Sequence, residues 1–479
     1  MKEEERDINI PNYLLIIPIL IFLISRFLPF YLHGPHPLGY DTGFYNYHIE
    51  KERTIVLEKG FFNFASFSNL AEVESWGERI IIRLLIALGF SNWMILYLFY
   101  ILAGALAGFL VYILSRLYFG KMAAFFSALI YSISLTQFMA YWEMFWKNAV
   151  GLSLMLLVFY LVEQKKLKNY IISFILAALI FITHKTTAFI LFTSLLIYFL
   201  IKEKKYRIHL VILLFITAIP AIWLNRNLII YLWEQISSGF KAHYDFFSVR
   251  EGIFIDWPDF FKYSFFYLPF GVLTALQLLF KKKNNAVLIL FFVSFLFILI
   301  KFIFYRRLFI FLDISLIVLS GFSLYRLAAK LFSTFSRRLT IAFTVVLFFA
   351  LSFIFFLNVA KQKPLLGREE IKEIENMKEV MPQAKIFTYD SYYTPWLYGF
   401  SGHKIIAPGW GDLKWDLEKW EIFWKAGSEE KKKMLSEFGQ PILVYAQDNF
   451  FSVEKDPCFK GVKNNFYLFN CESSDFLRD

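Results

Sequence analysis

Runs of about 20 apolar residues bounded by charges or turn residues recur along the chain, and that is the length a helix needs to cross a hydrocarbon layer about 30 Å thick. About eleven such runs are present. They cover approximately 13 to 32, 91 to 116, 121 to 140, 146 to 163, 169 to 184, 186 to 201, 208 to 231, 261 to 280, 285 to 304, 308 to 330 and 339 to 358. A short hydrophilic break, Thr183-His184-Lys185-Thr186, separates two of them. With 58% hydrophobic, 21% aromatic and only 19% charged residues among 479, the chain is too apolar to be a water-soluble globule. It carries 22 glycines and 14 prolines and no low-complexity segment, which excludes collagen-like and disordered classes. The expected fold is a polytopic α-helical membrane protein followed by a C-terminal soluble α/β domain.

The net charge of +11 would suggest nucleic acid in a soluble protein. In a membrane protein it first has to be tested as an orientation signal. With the N-terminus in the cytoplasm, Arg116 and Lys121 share one side with Lys165, Lys166 and Lys168. Lys202, Lys204, Lys205 and Arg207, Lys281 to Lys283, and Arg326, Lys330, Arg337 and Arg338 fall there too. Every strongly basic short loop then lies on the cytoplasmic side, the opposite orientation fails, and a nucleic-acid partner has nothing left to explain. An odd number of spans sends the C-terminal tail outside. The first apolar run is too long for a cleavable signal, and no small-residue cleavage pattern follows it.

Two segments outside the apolar runs have their own pattern. Residues 33 to 90 form a first outer loop, with Phe44, Tyr47, Thr54 and Ile55 near helical spacing up to Gly60, and with Arg alternating with Ile and Leu from Arg79 to Gly89. Both pieces read as helices lying along the membrane surface. Residues 1 to 360 therefore read as the membrane domain, and 361 to 479 as an extracytoplasmic α/β domain. In the latter, Glu369 to Val380 and Leu417 to Phe438 read as helices, and Lys385 to Tyr389 and Pro441 to Tyr445 as strands. Cys458 and Cys471 flank the strand-like run Phe466-Tyr467-Leu468-Phe469; they close a hairpin by a disulfide or remain two thiols.

Cations on the outer face have not been placed there for topology, which makes them the informative ones. They are Lys147 after Glu143 and Trp146, His184 and Lys185 in the break, and Arg306 and Arg307 between the ninth and tenth runs. Each reads either as an anchor at a helix end or as part of a clamp on a lipid-borne phosphate. Six of the seven histidines (33, 36, 48, 184, 243 and 403) fall on the same face, and only His209 does not. The chief acidic candidate is Asp41 in His36-Pro37-Leu38-Gly39-Tyr40-Asp41-Thr42-Gly43, which reads as a helix N-cap, a functional carboxylate, or both. Arg26, within the first run, needs a polar cavity to explain it. Lys301 and Asp313 read as an intramembrane pair, since each charge alone costs about 2.5 to 3.5 kcal/mol to insert. No nucleotide-phosphate loop, zinc-spaced cluster, serine-hydrolase signature or dinucleotide fingerprint appears. An enzyme outside the cytoplasm lacks nucleotide-activated donors, so its donor would be delivered by a lipid.

This arrangement resembles the GT-C superfamily of integral membrane glycosyltransferases, in particular archaeal and bacterial members with a C-terminal extracytoplasmic domain. The resemblance rests on the loop opening with Asp41, on Trp146-Lys147-Asn148, on His184-Lys185-Thr186-Thr187 and on Tyr305-Arg306-Arg307. It extends to Lys385-Ile386-Phe387-Thr388-Tyr389-Asp390 and to Leu397-Tyr398-Gly399-Phe400-Ser401-Gly402-His403-Lys404. It implies that Asp41 is the general base, that the donor is a polyprenyl-phosphate-linked sugar, and that the basic cluster holds the leaving phosphate while the anomeric centre inverts. The acceptor is then a lipid-linked glycan, a lipid or a protein. The oligosaccharyltransferase branch is the neighbouring reading, in which Asp41 with His48 and Glu50 reaches a divalent metal (Mg or Mn) or substrate. That branch carries Trp-Trp-Asp-Tyr-Gly where this chain has Trp396-Leu397-Tyr398-Gly399, so a monosaccharide transferase is preferred; otherwise no cofactor is implied. A flippase or transporter of lipid-linked saccharide is the reading from a different class, and it would call for internal repeats and broken helices with polar groups near the bilayer midplane.

Overall fold

The computed structural model describes residues 12–61, 75–202, 207–224, 254–301, 305–334, 337–389, 391–408, 410–411, 414–446 and 456–471. His243 and Asp390 lie outside them. The chain divides into two compact units, residues 1–32 with 52–363 and residues 33–51 with 364–479. Residues 33–51, the first part of the loop expected to be external, thus belong to the C-terminal unit, and the boundary falls inside one helix.

The helices up to the sheet are α1 (Ile16–His33), α2 (Thr42–Lys59), α3 (Trp76–Ala87), α4 (Phe99–Phe119), α5 (Lys121–Ser132), α6 (Leu135–Trp142), α7 (Trp146–Glu163), α8 (Leu167–Thr183), α9 (Lys185–Lys202), α10 (Arg207–Leu224), α11 (Trp257–Ser264), α12 (Leu268–Phe280), α13 (Ala286–Leu299), α14 (Phe309–Thr334) and α15 (Arg337–Lys361). Among the described residues, six helical stretches are long and apolar enough to cross a membrane, and up to eight if each bent pair counts as one span. Leu167–Thr183, Arg207–Ile219 and Ala286–Leu299 are shorter apolar helices.

Two of the expected continuous runs are broken. The run from 121 to 140 is α5 and α6, inclined at 44°, and the run from 261 to 280 begins earlier, as α11 and α12 at 93°. Both breaks have local causes. Ser134 caps α6 by accepting the Gln137 N–H, and Pro269 occupies the first turn of α12, where its missing N–H costs nothing. α14 packs on both α5 and α12. Small residues allow this approach, since a Cβ at Gly321 would meet the Ala123 carbonyl oxygen at 2.4 Å and one at Gly271 would meet Leu316 Cδ2 at 2.7 Å. The pairing expected between Lys301 and Asp313 gives way to another arrangement. Lys301 is exposed just beyond α13, whereas Asp313 is wholly buried and takes its hydrogen bonds from Tyr267, Ser134 and Gln137.

The C-terminal unit is a three-layer α/β/α sandwich. Its sheet runs in the order β3-β2-β1-β4-β6-β5, with β1 (Lys385–Phe387), β2 (Lys404–Ala407), β3 (Trp410–Gly411), β4 (Ile442–Tyr445), β5 (Phe459–Lys463) and β6 (Phe466–Phe469). β1 is parallel to β2 and β4; the remaining pairs are antiparallel. Alternation along β1 sends Ile386 to one face and Phe387 to the other. Ile386 packs with Ile374, Met377, Trp396 and Phe400 of α16 (Arg368–Val380) and α17 (Thr394–Ser401). Phe387 packs with Trp420, Phe423 and Leu435 of α18 (Leu417–Lys425) and α19 (Ser428–Ser436). The single helix expected over 417–438 is therefore two, because Ala426 and Gly427 adopt extended backbone between them. Cys458 and Cys471 are joined by a disulfide, with their Cα atoms 4.7 Å apart.

Residues 33–51 are tied to the sandwich by close backbone packing. A Cβ on Gly43 would sit 2.0 Å from the Pro395 carbonyl oxygen and one on Gly399 1.9 Å from that of Gly43, while Asn46 Nδ2 donates to the Gly399 carbonyl at 3.2 Å. Gly43→Ala or Gly399→Ala is expected to destabilise this unit by about 1–3 kcal/mol through overpacking. Limited proteolysis at graded temperature reads this as earlier cleavage within 364–471.

Candidate active site

Asp41 immediately precedes α2, is 7% exposed, and its carbonyl accepts the Tyr45 N–H at 3.2 Å, so it occupies the N-cap position. Two turns of helix later, His48 is buried among rings, 4.0 Å centroid to centroid from Phe44 and flanked by Tyr45 and Tyr47. Glu50 is half-buried; it accepts from Asn46 Nδ2 at 3.4 Å and lies 3.6 Å from Lys378 Nζ. Among the described residues, no three His, Cys, Asp or Glu side chains are grouped to hold an ion.

The membrane unit gathers a different set. Lys147 at the start of α7 reaches Glu78 of α3 at 3.0 Å, and Glu78 is fully buried. His184 occupies the break between α8 and α9 and caps α9. Its Nδ1 accepts the Thr187 N–H at 3.3 Å and lies 2.7 Å from the Thr187 hydroxyl. That bonding leaves the ring proton on Nε2, an assignment made from the hydrogen bonds. Burial, followed by the charges of Lys147 and Arg307, holds the imidazole well below its usual range; Glu78 opposes this and Lys185 adds to it. Arg307, in the 3-10 turn Tyr305–Leu308, places its guanidinium carbon 4.4 Å from the centre of the Phe145 ring, next to Trp146-Lys147. Arg306 is half-buried in the same turn. Lys147, His184, Lys185 and Arg307, four positions picked out by their side of the membrane, therefore share one electrostatic neighbourhood. Asp41, His48 and Glu50 belong to the other unit.

Sequence reasoning missed the carboxylates that balance the buried cations of this unit. Glu52 is fully buried and accepts from Arg79 Nε at 2.6 Å and from Arg83 Nε. The alternation from Arg79 to Gly89, which suggests a helix resting on the lipid surface, instead turns both arginines into the protein. Their separation of one helical turn is the available signal, since i and i+4 share a face. α3 is further located by Gly77, where a Cβ would meet Thr183 Oγ1 at 2.1 Å, next to His184.

Residues 77–224, which carry α3, Lys147 and the His184 break, match the family described as Dolichyl-phosphate-mannose-protein mannosyltransferase. The Archaeoglobus fulgidus oligosaccharyltransferase, in a structure tethered with an acceptor peptide containing the NVT sequon, superposes with a TM-score of 0.59 at 14% identity, covering 90% of this chain and 68% of its own. ArnT from Cupriavidus metallidurans bound to undecaprenyl phosphate gives a TM-score of 0.53 at 12% identity, covering 97% of this chain and 99% of its own. No curated protein matches the sequence. The fold is the one these two structures share, in keeping with the resemblance of the sequence to the GT-C superfamily. The family match covers residues 77–224, less than half of the chain.

Glu52→Gln leaves two buried guanidinium groups facing a neutral amide. It is expected to cost about 3–5 kcal/mol, the penalty for breaking a buried ion pair from one side. Thermal unfolding of the detergent-solubilised protein would register this as a marked fall in midpoint, and an unchanged midpoint would mean that the triad is not a structural element.

Proposed function

We propose that this protein transfers a monosaccharide from a polyprenyl-phosphate donor to an acceptor outside the cytoplasm, with Asp41 as general base. The observation that carries the reading is the convergence of Lys147, His184, Lys185 and Arg307 in the membrane unit of a GT-C fold. The acceptor hydroxyl attacks the anomeric carbon and gives its proton to Asp41, while the bond from that carbon to the phosphate oxygen breaks and polyprenyl phosphate leaves. A single displacement inverts the anomeric centre. As the bond breaks, negative charge grows on the phosphate; cations already held in place, together with the Nε2–H of neutral His184, stabilise it without reorganisation. Arg306 and Arg307 are assigned to the phosphate with Lys147 and Lys185. Asp41 fits the role of base because its backbone is fixed at the N-cap while its carboxylate is only slightly exposed.

The chain is taken to cross the bilayer eleven times, with about 20 residues per crossing. The three shorter apolar helices and the two bent pairs then count as spans, the N-terminus is cytoplasmic, and the C-terminal unit is outside. A lipid-linked glycan, a lipid or a protein fits as acceptor. The archaeal neighbour keeps the oligosaccharyltransferase reading in view, and there Trp396-Leu397-Tyr398-Gly399, which forms half of α17, would face the acceptor.

In membranes supplied with radiolabelled polyprenyl-phosphate sugars, Asp41→Asn is expected to lower transfer by a factor of about 10² or more, as for loss of a general base. Retained transfer would remove the base assignment. Lys147→Ala or Arg307→Ala is expected to weaken donor binding about tenfold, each removing one charge-assisted contact. Undiminished donor affinity in both would leave these residues as anchors only.

A further inference from the structure

Arg26 of α1 is the largest unexplained charge in the membrane unit. It is 2% exposed and lies in a helix whose other face is lipid-like. Its guanidinium donates to Ser25 Oγ at 2.9 Å and sits 4.7, 5.2 and 5.1 Å from the ring centres of Phe22, Phe138 and Tyr141. Among the described residues, no carboxylate lies within ion-pairing distance of it. A guanidinium has five N–H donors, and aromatic faces offer it polarisable charge but no acceptor atom.

Beside it is a cavity of about 30 Å³, lined by Arg26, Gln137, Tyr131, Tyr141 and Asn148 together with apolar side chains. Most of the polar groups on its wall are already engaged. Tyr131 donates to the Gly104 carbonyl at 2.7 Å and Tyr141 to that of Arg26 at 2.9 Å. The Gln137 amide nitrogen donates to the Ile310 carbonyl and to Asp313. Asp313 thus lies behind Gln137, held by three donors. Asn148 Nδ2 is a buried donor with no hydrogen-bond partner among the described residues, on a side chain 2% exposed. A charged donor and a neutral one, both with bonding capacity left, line a space large enough for one small ligand.

We propose that this cavity binds one small monovalent anion of halide size, held by the Arg26 guanidinium and the Asn148 amide. An acceptor-only ion matches donors on both sides. A water molecule would leave the buried positive charge uncompensated. None of its donors is assigned a part in the sugar-transfer reading, although Phe145, which also lines the cavity, carries Arg307 on its ring face.

The full-length protein in detergent would be unfolded thermally in chloride, in bromide and in gluconate at equal ionic strength. Specific binding to the folded state is expected to raise the midpoint by about 2–4 °C in either halide relative to gluconate. Asn148→Leu should shrink that difference. Asn148→Asp, which places a fixed carboxylate beside Arg26, should abolish it while keeping the gluconate midpoint at or above that of the unaltered protein. Crystals grown in bromide should show an anomalous peak beside Arg26, and this peak decides the matter if either variant fails to fold. Equal midpoints in halide and gluconate, a halide effect unchanged in both variants, or a water alone in the cavity would each overturn the proposal.

Discussion

The membrane unit depends on a constraint that lipid imposes: every polar group removed from water has to find its partner inside the protein. Asp313 shows how this constraint shapes the architecture. It draws on Ser134, at the break between α5 and α6, on Gln137 in the first turn of α6, and on Tyr267, at the break between α11 and α12. A broken helix exposes backbone groups that a continuous one would satisfy, and here both breaks are turned toward one buried carboxylate on α14. Ser320 Oγ adds to the arrangement by donating to the Tyr267 carbonyl at 2.7 Å. Broken helices gathered on a charged residue are also found in transporters. In this chain, however, the carboxylate is saturated by donors from the protein itself, which suits a junction better than a substrate site.

What the sequence reveals follows from the range over which each signal acts. Apolar runs are local, so the helices lie where hydropathy puts them, while the bends at Ser134 and Tyr267 are hidden because a lone Ser or Tyr hardly alters a run's character. The cations expected on the outer face are visible as exceptions to the charge rule, which is a one-dimensional test. Their counter-charges are not: Glu78 meets Lys147 and Glu52 meets Arg79 only after the chain has folded back on itself. The grouping of residues 33–51 with the C-terminal unit is equally illegible, since the bond from Asn46 to Gly399 spans 353 positions. The pairing of Lys301 with Asp313 fails for a related reason, in that runs adjacent along the chain need not bring their charges together in space.

The arrangement of charge also bears on how a phosphate would be received. A cluster of bare cations in a partly desolvated rim would repel itself, and burial would make that repulsion stronger. Here the repulsion is tempered in two ways. Lys147 is paired with a buried glutamate, and Arg307 rests on the face of Phe145. Neither arrangement by itself uses up all of the donors on the cation, since a lysine has three and an arginine five. A carboxylate partner and an aromatic face therefore hold the positive groups in position. His184 fits the same logic. Kept neutral by burial and by its cationic neighbours, it adds a donor without adding to the repulsion, and its other nitrogen is committed to capping the helix that carries Lys185. On the proposed reading the rim is preorganised for an anion by interactions that exist before any anion arrives, as electrostatic catalysis requires of a site that stabilises charge developing on a leaving group.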